Sequence, residues 1–364
     1  MRFFRQKRLK KRIKYRVKHF KFFSRLPPTV IDIMQPSLIL FKGETPPVNL
    51  PVCDHYAGNI KFAEKALALQ AALGAVFDIT LDLEDGAAIG AEIALAEQFC
   101  SLIASDINKH GRVGLRVHSP HHPCFIDDLN IALRTVGQRL AYIMVPKVGS
   151  ANDVANAVDA VDRLAAAQGL NQPIPIHILI ESLGALREVF RIAAHPRVES
   201  LSFGLMDFVS AHHGAISAHA MRSPGQFEHP LVIRAKTEIS AACHTYGKTP
   251  SHNVSTEVRD TAVVAHDAQR ARQGFGYTRM WSIHPEQIQP IVKAFTPLAS
   301  EVNEACEILT AAQAAQWGPI NHRNTLHDRA SYRYFWTILQ RAQQTGVPLA
   351  ERARTLLTPV ENLP

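Results

Sequence analysis

Between Leu50 and Ile283, short apolar runs of β type alternate with helical segments eight times. The clearest unit is Pro175-Ile-His-Ile-Leu-Ile-Glu-Ser-Leu-Gly-Ala-Leu, followed shortly by Ser202-Phe-Gly-Leu-Met-Asp-Phe. Ile176, Ile178 and Ile180 lead to Glu181, while Val198, Leu201 and Phe203 lead to Asp207. Between them Leu183, Leu186, Val189, Phe190 and Ala193 share one face of a helix over 183–194. A strand–helix–strand unit of this kind requires parallel strands, so Glu181 and Asp207 leave the sheet at the same edge. Two carboxylates converging there suit a hard divalent cation such as Mg²⁺. The competing reading is local: Glu181 caps its helix and Asp207 opens a turn.

The same pattern predicts strands over 50–53, 76–83, 112–117, 141–145, 249–254 and 279–283. Helices are expected over 59–73, 91–105, 125–137, 151–168, 231–246 and 257–273, with another from Pro285. Eight strands alternating with helices over roughly 250 residues have the size and order of an α/β (β/α)₈ TIM barrel. An open, doubly wound sheet would need a Gly-rich phosphate loop after the first strand, and Asp54-His-Tyr-Ala-Gly-Asn is not one. Two further helices, over 300–317 and 330–345, must pack on the barrel mouth as a lid or on a neighbouring subunit. The expected organisation is an N-terminal extension and linker over 1–48, a catalytic barrel over 49–297 and a C-terminal helical segment over 298–364.

Charge is distributed unevenly. The whole chain of 364 residues carries +8, but residues 1–31 hold 12 Lys or Arg and no acid, leaving 28 basic against 32 acidic residues. The body is thus mildly acidic, and the basic character belongs to the leading segment. There Leu9, Ile13, Val17 and Phe20 fall at helical spacing, which reads either as a cationic amphipathic helix for an anionic membrane or nucleic acid, or as a plain extension. It lacks the apolar core of a secretory signal. No apolar run approaches the roughly 18–20 residues that span a bilayer. Five scattered cysteines without a C-x-x-C pair argue against a disulfide framework or structural zinc, and fit a reducing compartment. Cytoplasm is the expected location, and no nucleic-acid partner is expected for the body.

In a barrel the chemistry sits at the carboxyl ends of the strands. Read in order, those ends offer Asp82-Leu-Glu-Asp-Gly, then Arg116 and His118, then Lys147, Glu181, Asp207, and finally Trp281 and His284. Any one of them is a weak signal, since Asp or Glu after a strand is usually an ordinary helix cap, but their agreement concentrates acids and cations on one rim.

These stretches resemble the citrate lyase β-subunit/malyl-CoA lyase family of CoA-ester lyases. The resemblance rests on Leu81-Asp-Leu-Glu-Asp-Gly, Gly114-Leu-Arg-Val, Val145-Pro-Lys, Ile178-Leu-Ile-Glu-Ser, Phe203-Gly-Leu-Met-Asp and Ser282-Ile-His-Pro-Glu-Gln-Ile, in that family's order, over about residues 49–295. It implies a Mg²⁺-dependent barrel, with Mn²⁺ as a substitute, that makes or breaks a carbon–carbon bond beside an acyl thioester. It also implies a homo-oligomer, trimer or hexamer, whose C-terminal segment caps a neighbour's site. Glu181 and Asp207 match the metal ligands, and Arg116 matches the arginine on the oxo-acid or thioester carbonyl. Glu84 and Asp85 match the acidic pair that orients metal-bound water. Asp328, with His327 as the alternative, matches the proton-transfer group supplied by the adjacent subunit.

The chain also departs from the family. Its first strand lacks the usual Pro-Gly turn, and His-rich inserts follow the third and sixth strands. In the second insert His212 and Arg222, together with Lys147 on the fourth strand end, are candidate contacts for an acyl carboxylate or CoA phosphates. The alternative is that they serve only to order a long loop, and a zinc site among these histidines is a minor alternative. The alternatives to a thioester lyase are an acyl-CoA thioesterase, a metal-dependent aldolase acting on free oxo-acids, and a non-enzymatic CoA-ester-binding protein.

Overall fold

The computed structural model describes residues 36–87 and 90–358; the basic leading segment and its amphipathic reading lie outside them. The eight strands are β1 (Cys53–Ala57), β2 (Phe77–Asp82), β3 (Val113–Arg116), β4 (Ile143–Val145), β5 (Ile176–Ile180), β6 (Val198–Phe203), β7 (Thr249–His252) and β8 (Arg279–Ser282). All pair in parallel and in sequence order, and β1 closes on β8 through Cys53↔Met280, Asp54↔Trp281 and His55↔Ser282. The fold is therefore the expected closed (β/α)₈ barrel. Its strands are almost wholly buried; β4 and β5 accordingly read as nearly unbroken apolar runs, whereas β1, β2, β7 and β8 carry buried polar residues.

β1 lies further along the chain than 50–53 because its polar residues point into the barrel. The Asp54 carboxylate accepts from Thr80 Oγ1 (2.7 Å) and the Tyr142 hydroxyl (3.0 Å), and lies 2.9 Å from Arg279 Nη2. Arg279 Nη1 donates to Asp78 Oδ2 (2.5 Å) and the Pro51 carbonyl (2.8 Å), and Arg112 Nε donates to Asp78 Oδ1 (2.7 Å). A fully buried ionic cluster of Asp54, Asp78 and Arg279 thus occupies part of the barrel interior, with the half-buried Arg112 at its edge. The reading of Asp54-His-Tyr-Ala-Gly as the turn after the first strand is corrected accordingly.

Helix starts follow local chemistry. Asn59 caps Ile60–Leu73 through Phe62 N, Ser150 caps Ala151–Ala167 through Asp153 N, and Asp260 caps Thr261–Phe275. This last helix begins four residues later than 257, because Glu257 Oε1 instead holds the amides of Arg259 and Asp260 in a turn. The single helix expected over 183–194 is divided into Leu183–Arg187 and Val189–Ala193, separated by Glu188, whose Oε2 accepts from Ala151 N (3.1 Å) of the neighbouring helix.

The C-terminal helices Ala299–Ala314 and Arg329–Gln344 build a second core with Pro36–Leu40 and Glu351–Leu357, centred on Leu40, Leu309, Tyr332, Trp336 and Leu339. This unit sits at the amino ends of the strands. A Cβ on Gly346 would lie 3.7 Å from Val76, just before β2, and Trp336 and Arg341 share a cavity with Leu50, Thr249 and Thr278. The described part of the segment, up to residue 358, packs at this end and not over its own barrel mouth. A short hairpin of β9 (Ile320–His322) and β10 (Thr325–His327), unanticipated from the sequence, joins the two helices.

Candidate active site

The carboxyl ends of the strands enclose a cavity of about 390 Å³. Glu181, Asp207, Arg116, Asp82 and Asp85 contribute its polar wall, and Tyr56, Leu179, Phe203, Val254 and Trp281 much of its apolar wall. Glu181 follows β5 directly and is 3% exposed. Asp207 lies in the first turn of the short helix Leu205–Ser210 that begins just after β6. The glycine between strand and helix is required: a Cβ on Gly204 would lie 2.5 Å from Glu181 Cβ and 2.7 Å from its Oε2. Burial, and then repulsion from Asp207, push the Glu181 carboxyl up to about 8.

A divalent cation between these two carboxylates would oppose both effects, and that is the test the residues pass. Among the described residues no group of three His, Cys, Asp or Glu side chains is arranged to hold a metal. Mg²⁺ needs few protein oxygens because it keeps several waters, so the Glu181–Asp207 pair would suffice to hold it.

Lys147 sits beside this pair in a left-handed conformation (φ 50°), uncommon for a side chain of its size. That backbone turn aims its N–H at Glu181 Oε1 (2.5 Å). Its ammonium is held by Glu84 and by Asp85 Oδ1 (2.8 Å). Lys147 therefore orients Glu181 with its backbone and the acidic loop with its side chain.

Arg116 ends β3 in register with Asp82 at the end of β2. The two form a bidentate pair, Nε–Oδ1 and Nη2–Oδ2 both 2.6 Å, and Glu84 Oε2 lies 3.3 Å from Nη1. Burial works against the guanidinium charge, but Asp82 outweighs it and Arg116 holds its proton more tightly than an ordinary arginine. The guanidinium carbon also lies 5.1 Å from the centroid of the Tyr56 ring, which stacks on Trp281 at 4.2 Å. Asp82 is the functional residue that sequence reading missed. It stood in the acidic run at the end of β2, and strand register singles it out as the partner of Arg116. Its oxygens also accept from Glu84 N (3.0 Å) and Gly86 N (2.8 Å), folding the loop that carries Glu84 and Asp85. Asp82→Asn is expected to lower kcat/KM by about 10–100-fold through a misplaced Arg116, the effect of losing a charge-assisted bidentate pair. Mg²⁺ affinity measured by calorimetry should stay within about twofold; a parallel loss of metal would show that Asp82 supports Glu181 instead.

Other expected residues lie elsewhere. His212 shares a hydrogen bond between Nδ1 and the Phe208 carbonyl (2.7 Å), and neither it nor the exposed Arg222 lines the cavity. The insert that carries them is anchored by buried polar contacts: Lys236 Nζ donates to Gln226 Oε1 and Asn253 Oδ1, and Gln226 Nε2 donates to Asp267. Loop ordering accounts for this stretch. The Ser282-Ile-His-Pro-Glu-Gln motif is also structural. Gln287 Nε2 donates to the Ser255 and Glu257 carbonyls, and its Oε1 accepts from Ile283 N. Asp328 caps Arg329–Gln344 through Ala330 N (3.0 Å) and does not line the cavity of its own chain.

The family model of the HpcH/HpaI aldolase/citrate lyase family matches residues 61–285, which span β2 to β8 and include Asp82, Asp85, Arg116, Glu181 and Asp207 of the cavity wall. The chain belongs to that family. An L-malyl-CoA/beta-methylmalyl-CoA lyase of Cereibacter sphaeroides (strain ATCC 17029 / ATH 2.4.9) is 31% identical over 292 residues, covering 76% of this chain and 91% of the relative. The crystal structure of a citrate lyase from Burkholderia xenovorans LB400 superposes with a TM-score of 0.76 at 57% identity, covering 86% of this chain and 97% of that one. The CitE protein of Mycobacterium tuberculosis, solved with magnesium, acetoacetate and coenzyme A, shares the fold at 20% identity and a TM-score of 0.60, covering 81% of this chain and 98% of its own. The carbon–carbon lyase reading of the sequence stands with this family assignment. Among the described residues no helix is long and apolar enough to cross a membrane.

Proposed function

We propose that the protein is a Mg²⁺-dependent lyase that cleaves or forms a 3-hydroxyacyl-CoA thioester of the malyl-CoA or citramalyl-CoA type. The observation that carries this reading is the convergence of Glu181, Asp207 and Arg116 on one cavity at the barrel mouth. In the cleavage direction the bond between the hydroxyl-bearing carbon and the carbon next to the thioester breaks. Its electron pair moves onto the thioester as an enolate, and the hydroxyl proton passes to a base as the oxo-acid forms. Mg²⁺ held by Glu181 and Asp207 would supply positive charge to the substrate oxygens. Arg116, fixed by Asp82, presents its guanidinium to an oxo-acid or carbonyl oxygen, where such a donor is worth several kcal/mol. Glu84 and Asp85 hold the Lys147 ammonium, and with a cation bound they would be the acids available to orient its water. The apolar wall of Tyr56, Leu179 and Trp281 keeps bulk water from the enolate.

Asp328 of an adjacent subunit is the proposed proton-transfer group. Its hairpin is exposed, with Leu326 73% accessible, and Asp328 itself faces solvent, as a group delivered to a neighbour must. His327 is the weaker candidate, being buried at 8% against Phe335. The homo-oligomer this requires, and a cytoplasmic location in keeping with five free cysteines, are parts of the same proposal.

Purified protein with Mg²⁺ and a panel of hydroxyacyl-CoA esters should release glyoxylate or pyruvate together with an acyl-CoA. Release of free CoA alone would establish a thioesterase, and turnover of oxo-acids without CoA an aldolase. Mixing Asp328→Asn with Arg116→Ala, each less than about 1% active as expected for a lost proton-transfer or electrostatic group, should restore activity in mixed oligomers. Failure in confirmed mixed oligomers would assign Asp328 to helix capping only.

A further inference from the structure

A second cavity, of about 230 Å³, lies at the opposite end of the barrel, between the amino ends of the strands and the C-terminal helices. Lys248, Arg341 and His244 line it, and no Asp or Glu does. Lys248 immediately precedes β7, and Arg341 belongs to the last turn of Arg329–Gln344. His244 is already engaged with the Gly276 carbonyl at 2.8 Å. Among the described residues neither the Lys248 ammonium nor the Arg341 guanidinium has a hydrogen bond or an ion pair.

Arg279, Arg116 and Lys147 each lie against two carboxylates, and the fully buried Lys236 is held by the neutral side chains of Gln226 and Asn253. Arg341 instead faces a second cation, Arg272, and burial followed by that repulsion pulls its proton affinity down to about 10. Burial also lowers Lys248. Glu199 acts on Lys248 from outside the cavity and forms no ion pair with it. Two partly desolvated cations in a cavity whose wall holds no acid are costly to maintain, and an anion beside them would offset that cost. Gln340, Asn49 and Thr278 supply further polar groups around the same space, and Phe41, Leu50 and Trp336 supply an apolar floor.

We propose that this cavity binds a small organic phosphate, with Lys248 and Arg341 gripping the phosphate and the apolar floor receiving its carbon body. Two cations match a dianionic phosphate in charge, and a guanidinium fork with a point-charge ammonium suits its tetrahedral oxygens. The ligand bridges the barrel to the C-terminal helix. It also sits where β7 and β8 begin, and the far ends of those strands present Val254 and Trp281 to the catalytic cavity. Binding should therefore fasten the C-terminal unit to the barrel and brace two strands of the active rim.

The full-length protein in chloride buffer, titrated calorimetrically with glycerol 1-phosphate, should bind one molecule per chain and gain thermal stability. Lys248→Met and Arg341→Gln should each weaken binding about tenfold or more, as expected for a lost charged hydrogen bond. Gln340→Glu, which places a carboxylate beside Arg341, should abolish binding without lowering Tm, separating the site from the stability of the fold. Arg116→Ala should bind as the parent does. No heat at millimolar ligand, or full affinity in Lys248→Met, would overturn the proposal. Loss in Arg116→Ala would do the same by moving the ligand to the mouth. Equal affinity for succinate would overturn the phosphate assignment.

Discussion

Glu181→Gln should lower kcat/KM by about 10³-fold or more while raising the melting temperature. The two halves of this expectation have one cause. In the folded chain the Glu181 carboxylate is 3% exposed, faces Asp207 and is supported chiefly by a single backbone N–H from Lys147. Burying a charge beside a like charge is unfavourable, so exchanging the carboxylate for an amide of the same shape relieves the fold. The Lys147 N–H still finds an acceptor in the amide oxygen. The substitution removes the negative charge that would attract a divalent cation, and Asp207 alone is a poor site for Mg²⁺. Mg²⁺ titration by calorimetry should show loss of saturable binding, and differential scanning calorimetry without added cation should show the rise in Tm. A variant that melts lower than the parent, or that keeps its Mg²⁺ affinity, would show that Glu181 serves the fold rather than the metal. Gly204→Ala is a useful companion, because its methyl would press on Glu181 from the side without changing any charge.

What could be read from the residues, and what could not, divides along the range of the interactions. Glu181, Asp207 and Arg116 were visible because each stands at the end of an apolar run, and a parallel barrel collects such ends on one rim. Capping residues such as Asn59 and Ser150 were visible for the same local reason. Asp54 was not, since an acid followed by His and Tyr reads as the end of a strand unless its partner is known. That partner, Arg279, is more than two hundred residues away in sequence. Lys147 read as a substrate contact because lysine on an active rim commonly is one; the left-handed turn that spends its N–H on Glu181 leaves no trace in the pattern. The C-terminal helices showed their apolar faces plainly. An apolar face states that a helix packs, not which end of a barrel receives it, and here it is the end away from the mouth.

The second large effect is on the fold itself. Arg279→Met should cost about 3–5 kcal/mol, the penalty for leaving buried charges without their partner, and lower Tm by roughly 4–7 °C. Arg279 is fully buried and holds two carboxylates from neighbouring strands, Asp54 on β1 and Asp78 on β2, while standing on β8. It therefore ties the two strands that follow barrel closure to the strand that completes it. Methionine fills much of the same space, so the loss would come from the stranded carboxylates rather than from a cavity. Replacing all three groups together, Asp54→Asn and Asp78→Asn with Arg279→Met, should recover a large part of the stability, because a matched polar or apolar set avoids the stranded charge. Acid sensitivity supplies an independent readout. Burial alone would raise the Asp78 carboxyl, but Arg279 and Arg112 overcome it and hold the group below its ordinary value. A depressed carboxyl contributes stability above its unfolded pKa of about 3.9, and that contribution disappears as the pH falls through the folded value. Without Arg279 the burial effect is opposed by Arg112 alone, so Arg279→Met should begin to unfold at a higher pH than the parent during acid titration. An unchanged Tm together with an unchanged acid midpoint would mean that the interior cluster is tolerated by the barrel rather than required by it.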